Sequence, residues 1–359
     1  MATSTGSAAT APVLRVGVIG AGANTRLFHI PRLQAIPGVE VVSVSNRTMA
    51  SGKAVAEQFK IPKVCESWKA LLEDPAIDAV VIGTWPDTHN VLACAALRHG
   101  KHVLCEARMA RNVAEAREML RTSQAFPDLV AQLVPAPFTL KVDRTILDLI
   151  ADGFVGEILA IDLRASTPGF IDRAAPLAWR SDFGVSGYNT MTMGIWYETL
   201  MRWVGEATRL TAMSKVFVKQ RRHPSSGHLA SIRIPDHVDI IADMACGAQA
   251  TLRFSAVTGL PGSTGSVWIH GSEGTLHFDR ASGKLCAGRR GDAALAEIAI
   301  APEKAGEWQV EEDFVNSIRH KQPVRLTSFA DGVRYMEFTE AVARSSMSGR
   351  TIDLPLGYK

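Results

Sequence analysis

The chain has 359 residues, 47% hydrophobic and 21% charged, enough apolar content to fill the cores of two domains. Its formal net charge of +3, without Lys/Arg runs, excludes the basic field that nucleic-acid partners require. No apolar run approaches a membrane span, and five scattered cysteines without C-x-x-C or ligand spacing suggest free buried thiols, no metal and a cytoplasmic protein.

Residues 1–12 are mostly Ala, Ser, Thr and Gly without a basic residue, and read as a disordered tail rather than a targeting peptide. The stretch 13–25, VLRVGVIGAGANT, is an apolar strand feeding a Gly20-x-Gly22 turn and then an amphipathic segment. A dinucleotide-binding βαβ unit opens in this way. Gly20 permits the tight turn, and Gly22 lets backbone N–H groups approach a pyrophosphate at the positive end of the next helix, with Ala23 and Asn24 beside it. The motif's third glycine is absent, and Thr25 stands in its place. A second buried strand at 39–45 ends where the ribose is read. An Asp or Glu there would repel a 2′-phosphate, but the chain has Ser45-Asn46-Arg47-Thr48. Arg47 offers a charged fork, with Asn46 beside it and Ser45 and Thr48 as further donors, which favours NADP(H) over NAD(H).

Helices are predicted at 50–59 and 67–73, a β-branched strand at 77–83, and a helix at 88–98 that Gly100 stops. A strand at 101–105, a helix at 113–123 and a short strand at 129–131 complete the alternation. It predicts a doubly wound parallel sheet over 13–131, with ligands at the carboxyl ends of its strands. From 132 to 359 the pattern changes. A helix at 140–151 precedes strands at 156–166, 209–219, 237–246, 249–255, 265–271 and 274–279. Tight turns between several of them predict an open, mainly antiparallel sheet. A helix at 191–204 interrupts it, and helices near 308–318 and 329–346 close an α+β domain.

Several segments together resemble the glucose–fructose oxidoreductase / inositol dehydrogenase (Gfo/Idh/MocA) family from about residue 14 to 354. They are Gly20-Ala21-Gly22, Thr84-Trp85-Pro86-Asp87-Thr88-His89, and the run from Gly100 through Lys101 and His102 to Glu106. Trp179-Arg180-Ser181-Asp182 with Ser186-Gly187, and the run 312–318, EDFVNSI, also fit. The resemblance implies a Rossmann domain followed by a substrate and oligomerisation domain, assembled as a homodimer or homotetramer. It implies hydride transfer between a nicotinamide and a sugar or cyclitol carbon. Thr84, Trp85, His89 and Glu106 would then lie along the cofactor, with Trp179 and Arg180 at the substrate.

The family's usual catalytic groups are replaced in this chain. Ala107 stands in the lysine column of the Glu-Lys-Pro motif, Thr192 in the aspartate column and Trp196 in the histidine column. Arg108 restores a positive charge as a rigid fork that suits a carboxylate or other oxyanion. His89 lies on a strand-to-helix loop at the ligand edge, and Tyr188 replaces a glycine so that its ring is expected to project into the cleft. With Arg108 these form the catalytic set. Tyr197 is an alternative, whereas Glu198 reads as a solvent or interface carboxylate. Trp85 and Trp196 are expected as aromatic walls, and Arg108, Trp179, Arg180, Tyr188, Asn189 and Trp196 as substrate contacts. The basic segment 221–228 reads as an exposed connection or a lid. These residues point to an NAD(P)-dependent oxidoreductase acting on a sugar, glycoside or related cyclic alcohol or ketone. The alternatives are a lyase using transient internal oxidation and a nucleotide-binding subunit without catalysis.

Overall fold

The computed structural model describes residues 13–260 and 262–357, and the expected tail at 1–12 lies outside them. Six strands open the fold: β1 (Leu14–Ile19), β2 (Val39–Ser45), β3 (Lys63–Val64), β4 (Ala79–Ile82), β5 (His102–Cys105) and β6 (Ala131–Leu133). They form one parallel sheet in the order β3-β2-β1-β4-β5-β6. Helices α1 (Ile30–Ala35), α2 (Met49–Phe59), α3 (Trp68–Leu72), α4 (Pro86–Arg98) and α5 (Val113–Ala125) connect them. Val16, Val18, Val80, Val81 and Ile82 are all buried, as continuous apolar strands must be when helices cover both faces. Strand order reverses between β1 and β4, so a crevice opens at their carboxyl ends, where Gly20 and Thr84 follow.

The remaining elements are α6 (Leu140–Ala151), β7 (Ile158–Ser166), α7 (Phe183–Ser186), α8 (Met193–Val204) and β8 (Ala207–Lys215). Strands β9 (Gln220–Arg222), β10 (Leu229–Ser231), β11 (His237–Met244), β12 (Gln249–Ser255) and β13 (Gly265–Gly271) come next. β14 (Gly274–Asp279), β15 (Lys284–Arg289), β16 (Ala296–Glu297), α9 (Val310–His320), α10 (Phe329–Ser348) and β17 (Ile352–Asp353) end the chain. The second sheet runs β16-β15-β14-β13-β7-β12-β11-β8-β17, with β7 and β12 parallel and its other neighbours antiparallel. Its strands alternate: Val238, Ile240 and Ala242 of β11 face the core, while Ile241 is exposed.

Two details depart from the sequence-based expectations, and the largely exposed basic segment agrees with its expected place as a connection. The domain boundary at 131/132 falls inside β6, and α9 returns to the first domain, lying against α1 with Val310, Phe314 and Val315 in the same buried cluster as residues of β1, β2 and β4. Helix α10 then joins the halves: its Glu337 pairs with Arg117 of α5 at 2.5 Å, and its Glu340 accepts from the Val113 N–H at 2.9 Å. The basic segment is part of a β9–β10 hairpin, anchored by Arg221 on the carbonyls of Asp172 and Ala175. Finally, Cys65, Cys94 and Cys105 are buried, but Cys246 is exposed and Cys286 half-buried. Among the described residues no helix is long and apolar enough to cross a membrane.

Candidate active site

The glycine turn is built by close contact. Gly20 has φ +83°, and a Cβ there would lie 2.4 Å from Thr84 Cγ2 and 2.9 Å from the Thr84 nitrogen. The Gly20 N–H donates to the Ser45 carbonyl at 2.9 Å, and Asn46 Oδ1 accepts from the Ala21 N–H at 2.8 Å. Asn46 therefore fastens the loop to the end of β2. The chain then enters a helix whose first turns are π-type (Thr25–His29), a geometry common at functional sites. Gly22, Ala23 and Asn24 are exposed at its start, where the helix dipole favours an anion, and the Gly22 N–H donates to the Gly20 carbonyl at 2.9 Å.

Behind this turn lies a buried chain of charges that sequence reasoning missed. Asn24 Nδ2 donates to Glu106 Oε1 at 3.0 Å, and His29 Nε2 meets the same oxygen at 3.1 Å. His29 Nδ1 lies 2.5 Å from Glu311 Oε1, and Trp308 Nε1 donates to Glu311 Oε2 at 2.8 Å. His29 and Glu311 are fully buried. Burial alone would push the imidazole down, but its bonds to Glu106 and Glu311 outweigh burial and raise it to about 9. Burial likewise opposes the Glu106 charge, and His29 and Asn24 outweigh it, holding that carboxyl below its ordinary value. Glu106 is thus an ionised carboxylate at the end of β5.

A second cluster sits across the crevice. Trp85, 43% exposed at the start of α4, stacks on Trp179 with ring centroids 5.8 Å apart and planes at 15°. The Arg180 guanidinium lies 4.2 Å from the centre of the Trp179 ring. Arg108 is 6% exposed, and its Nη1 donates to the Met191 carbonyl at 3.0 Å. Met191 has φ +46°, a strained backbone for a residue with a side chain. Burial and the nearby charge of Arg180 lower Arg108 to about 10, so it remains cationic at neutral pH.

Other predicted contacts fall elsewhere. His89 is fully buried, with Nδ1 and Nε2 facing the carbonyls of Arg108 (3.0 Å) and Thr84 (3.1 Å). Burial lowers its basicity, so the neutral ring donates to one of these two carbonyls, and both nitrogens face backbone rather than a ligand. Tyr188 packs edge-on against Phe183 and lines a cavity of about 90 Å³ with Thr190, Met193 and Arg233. Neither Glu106 nor Arg108 lines that cavity, so the ring does not project into the crevice as expected. Asn189 is buried and donates to the carbonyls of Ala110 (2.7 Å) and Ser186 (2.8 Å), which makes it a loop fastener.

Trp196 is not a cleft wall. It is fully buried against Phe138, and a Cβ on Gly265 would lie 2.2 Å from its ring. The volume of the indole in the histidine column is accommodated by that glycine. Tyr197 stacks on Phe338 at 3.6 Å and its hydroxyl accepts from the Ala207 N–H, while burial raises it well above the ordinary tyrosine range. Glu198 is buried, not solvent-facing, and accepts from the Ala136 N–H and from Thr327 Oγ1. At the end of β2, Arg47 is exposed, but Ser45 is buried and Thr48 caps α2 through the Ser51 N–H. Only Arg47 of those three is free to meet a ligand. Among the described residues, no three His, Cys, Asp or Glu side chains gather as a metal site.

Comparison with known proteins matches residues 14–130 to a family described as an oxidoreductase family with an NAD-binding Rossmann fold (GFO/IDH/MocA), and residues 144–277 to a GFO/IDH/MocA C-terminal domain. The uncharacterised oxidoreductase YdgJ of Escherichia coli K12 is 30% identical over 203 residues, 55% of this chain and 53% of that protein. The match thus spans about half of that relative. Levoglucosan dehydrogenase of Pseudarthrobacter phenanthrenivorans is 24% identical over 95% of this chain and 98% of its own. A solved levoglucosan dehydrogenase, in complex with NADH and L-sorbose, shares the fold with a TM-score of 0.83 at 21% identity, covering 95% of this chain and 99% of its own.

Proposed function

Since the chain belongs to the Gfo/Idh/MocA family of oxidoreductases, we propose that it transfers a hydride between a nicotinamide dinucleotide and a carbon of a sugar or related cyclic alcohol or ketone. The observation that carries this reading is the cradle at Gly20: a turn too tight for a Cβ, an exposed helix start at Gly22, Ala23 and Asn24, and an ionised Glu106 beside Asn24. The bound nicotinamide would supply the hydride acceptor or donor. Gly20, Gly22, Ala23 and Asn24 would hold its pyrophosphate, Glu106 would accept from ribose hydroxyls, and Thr84 and Trp85 would border the ring. The Trp85–Trp179 stack supports a ring-shaped substrate, since indole faces pack on the C–H faces of sugars. Levoglucosan dehydrogenase and 1,5-anhydro-D-fructose reductase, both matched by this chain, are named for such compounds.

The exposed Arg47 supports NADP(H) as the preferred form, with NAD(H) as the alternative. Arg47→Ala is expected to weaken NADPH binding roughly tenfold, the loss of one charge-assisted contact, with NADH binding unchanged. Equal losses for both cofactors in a fluorescence titration would contradict the assignment. The exposed Met213 and Ile241 on the outer face of the second sheet support assembly as a homodimer or homotetramer. A second reading, a cofactor-binding subunit without turnover, draws support from His89 and Tyr188, neither of which is available as a proton acceptor in the crevice. Steady-state oxidation of NADPH or NADH by ketoses and anhydrosugars separates the two. Turnover supports the oxidoreductase, and tight cofactor binding without turnover across the panel supports the subunit.

A further inference from the structure

We propose that the substrate carries an oxyanion, a carboxylate or phosphate, held between Arg180 and Arg108 beside the Trp85–Trp179 stack. This rests on the oxidoreductase reading and adds a charge requirement to it. Two other largely buried arginines have acids to balance them: Arg117 meets Glu337 at 2.5 Å and Arg202 meets Asp143 at 3.3 Å. Arg108 is more deeply buried and has none. Its one hydrogen bond goes to a carbonyl, its Nε is buried without an acceptor, and no described Asp or Glu lies within ion-pair distance of either Arg108 or Arg180.

A buried cation without a counter-charge is costly, and a second guanidinium nearby increases the cost. An anion from solution would remove both penalties at once. The guanidinium fork fits the paired oxygens of a carboxylate or phosphate better than it fits a neutral hydroxyl. Arg180 is exposed and already aligned over Trp179, so it would meet the anion first. The indole pair offers an apolar surface to the ring that bears the charge.

The test uses the full chain saturated with NADPH, whose own binding is measured first, so that failure of the cofactor reading is scored separately. Tryptophan fluorescence and calorimetry then compare matched probes: D-gluconate against D-glucitol, and D-glucose 6-phosphate against D-glucose. At least one anion is expected to bind about tenfold or more tightly than its neutral partner, and the preferred pair identifies the oxyanion. Arg180→Gln should abolish the preference without affecting NADPH affinity. Arg108→Lys, which keeps the charge but loses the fork, should reduce it. Equal or tighter binding of both neutral partners would overturn the proposal. Persistence of the preference in Arg180→Gln, or no probe binding to the loaded protein, would do the same.

Discussion

Raising the pH from about 6 to about 9.5 is expected to remove roughly 3 kcal/mol of folding stability through His29 alone. The free imidazole titrates at 6.5 and the buried one at about 9, because it sits between the carboxylates of Glu106 and Glu311. The folded chain therefore keeps a proton that the unfolded chain releases within this interval. The stabilisation is fully present below about 6.5 and disappears as pH passes through about 9. Denaturant midpoints measured across this range should fall for the wild type. In His29→Gln they should start lower, since two buried carboxylates then share no cation, and should change much less with pH. Parallel curves for the two proteins would show that the imidazole does not hold its proton between the acids.

Gly20→Ala is expected to lower affinity for NADPH and NADH by on the order of a hundredfold, since small displacements at a positioning loop are amplified at the ligand. The added Cβ would lie 2.4 Å from Thr84 Cγ2 and 2.9 Å from the Thr84 nitrogen, and the latter is backbone that cannot rotate away. Relief requires parting the β1 turn from the β4 turn, the two ends that frame the crevice. Gly100→Ala is the control, because its φ of +71° carries similar backbone strain but nothing lies within 4 Å of the new atom. It should cost about 1 kcal/mol of stability and leave cofactor affinity intact. If both variants bind cofactor like the wild type, the Gly20 turn is not the pyrophosphate cradle.

Local patterns made the architecture legible. The strand–turn–helix at 13–25, the alternation up to about 131, and β7, β8 and β11 to β14 follow from apolar spacing and glycine stops, with β12, β13 and β14 matching their expected limits, whereas β9, β10, β15 and β17 were not expected. Short edge strands such as β3 and β16, with two residues each, carry too little pattern to be read. The site's geometry was legible where a single turn sets it, as at Gly20 with its positive φ. It was not legible where the role is set by a distant partner. His29 and Glu311 are 282 positions apart, and nothing in either segment announces the other. Trp196 and Tyr188 failed for a related reason. A family column fixes where the backbone passes, but Gly265 and Phe183 decide where a larger ring comes to rest. His89 was read as a free base because its position is at the ligand edge, whereas two carbonyls occupy its nitrogens.

The central claim is that the crevice between β1 and β4 binds a nicotinamide dinucleotide. Titration of the purified chain with NADPH and NADH, followed by nucleotide fluorescence and calorimetry, tests it most directly. Saturable binding of one nucleotide per chain, tighter for NADPH and strongly weakened by Gly20→Ala, is the predicted result. Absence of saturable binding for both nucleotides would contradict the account.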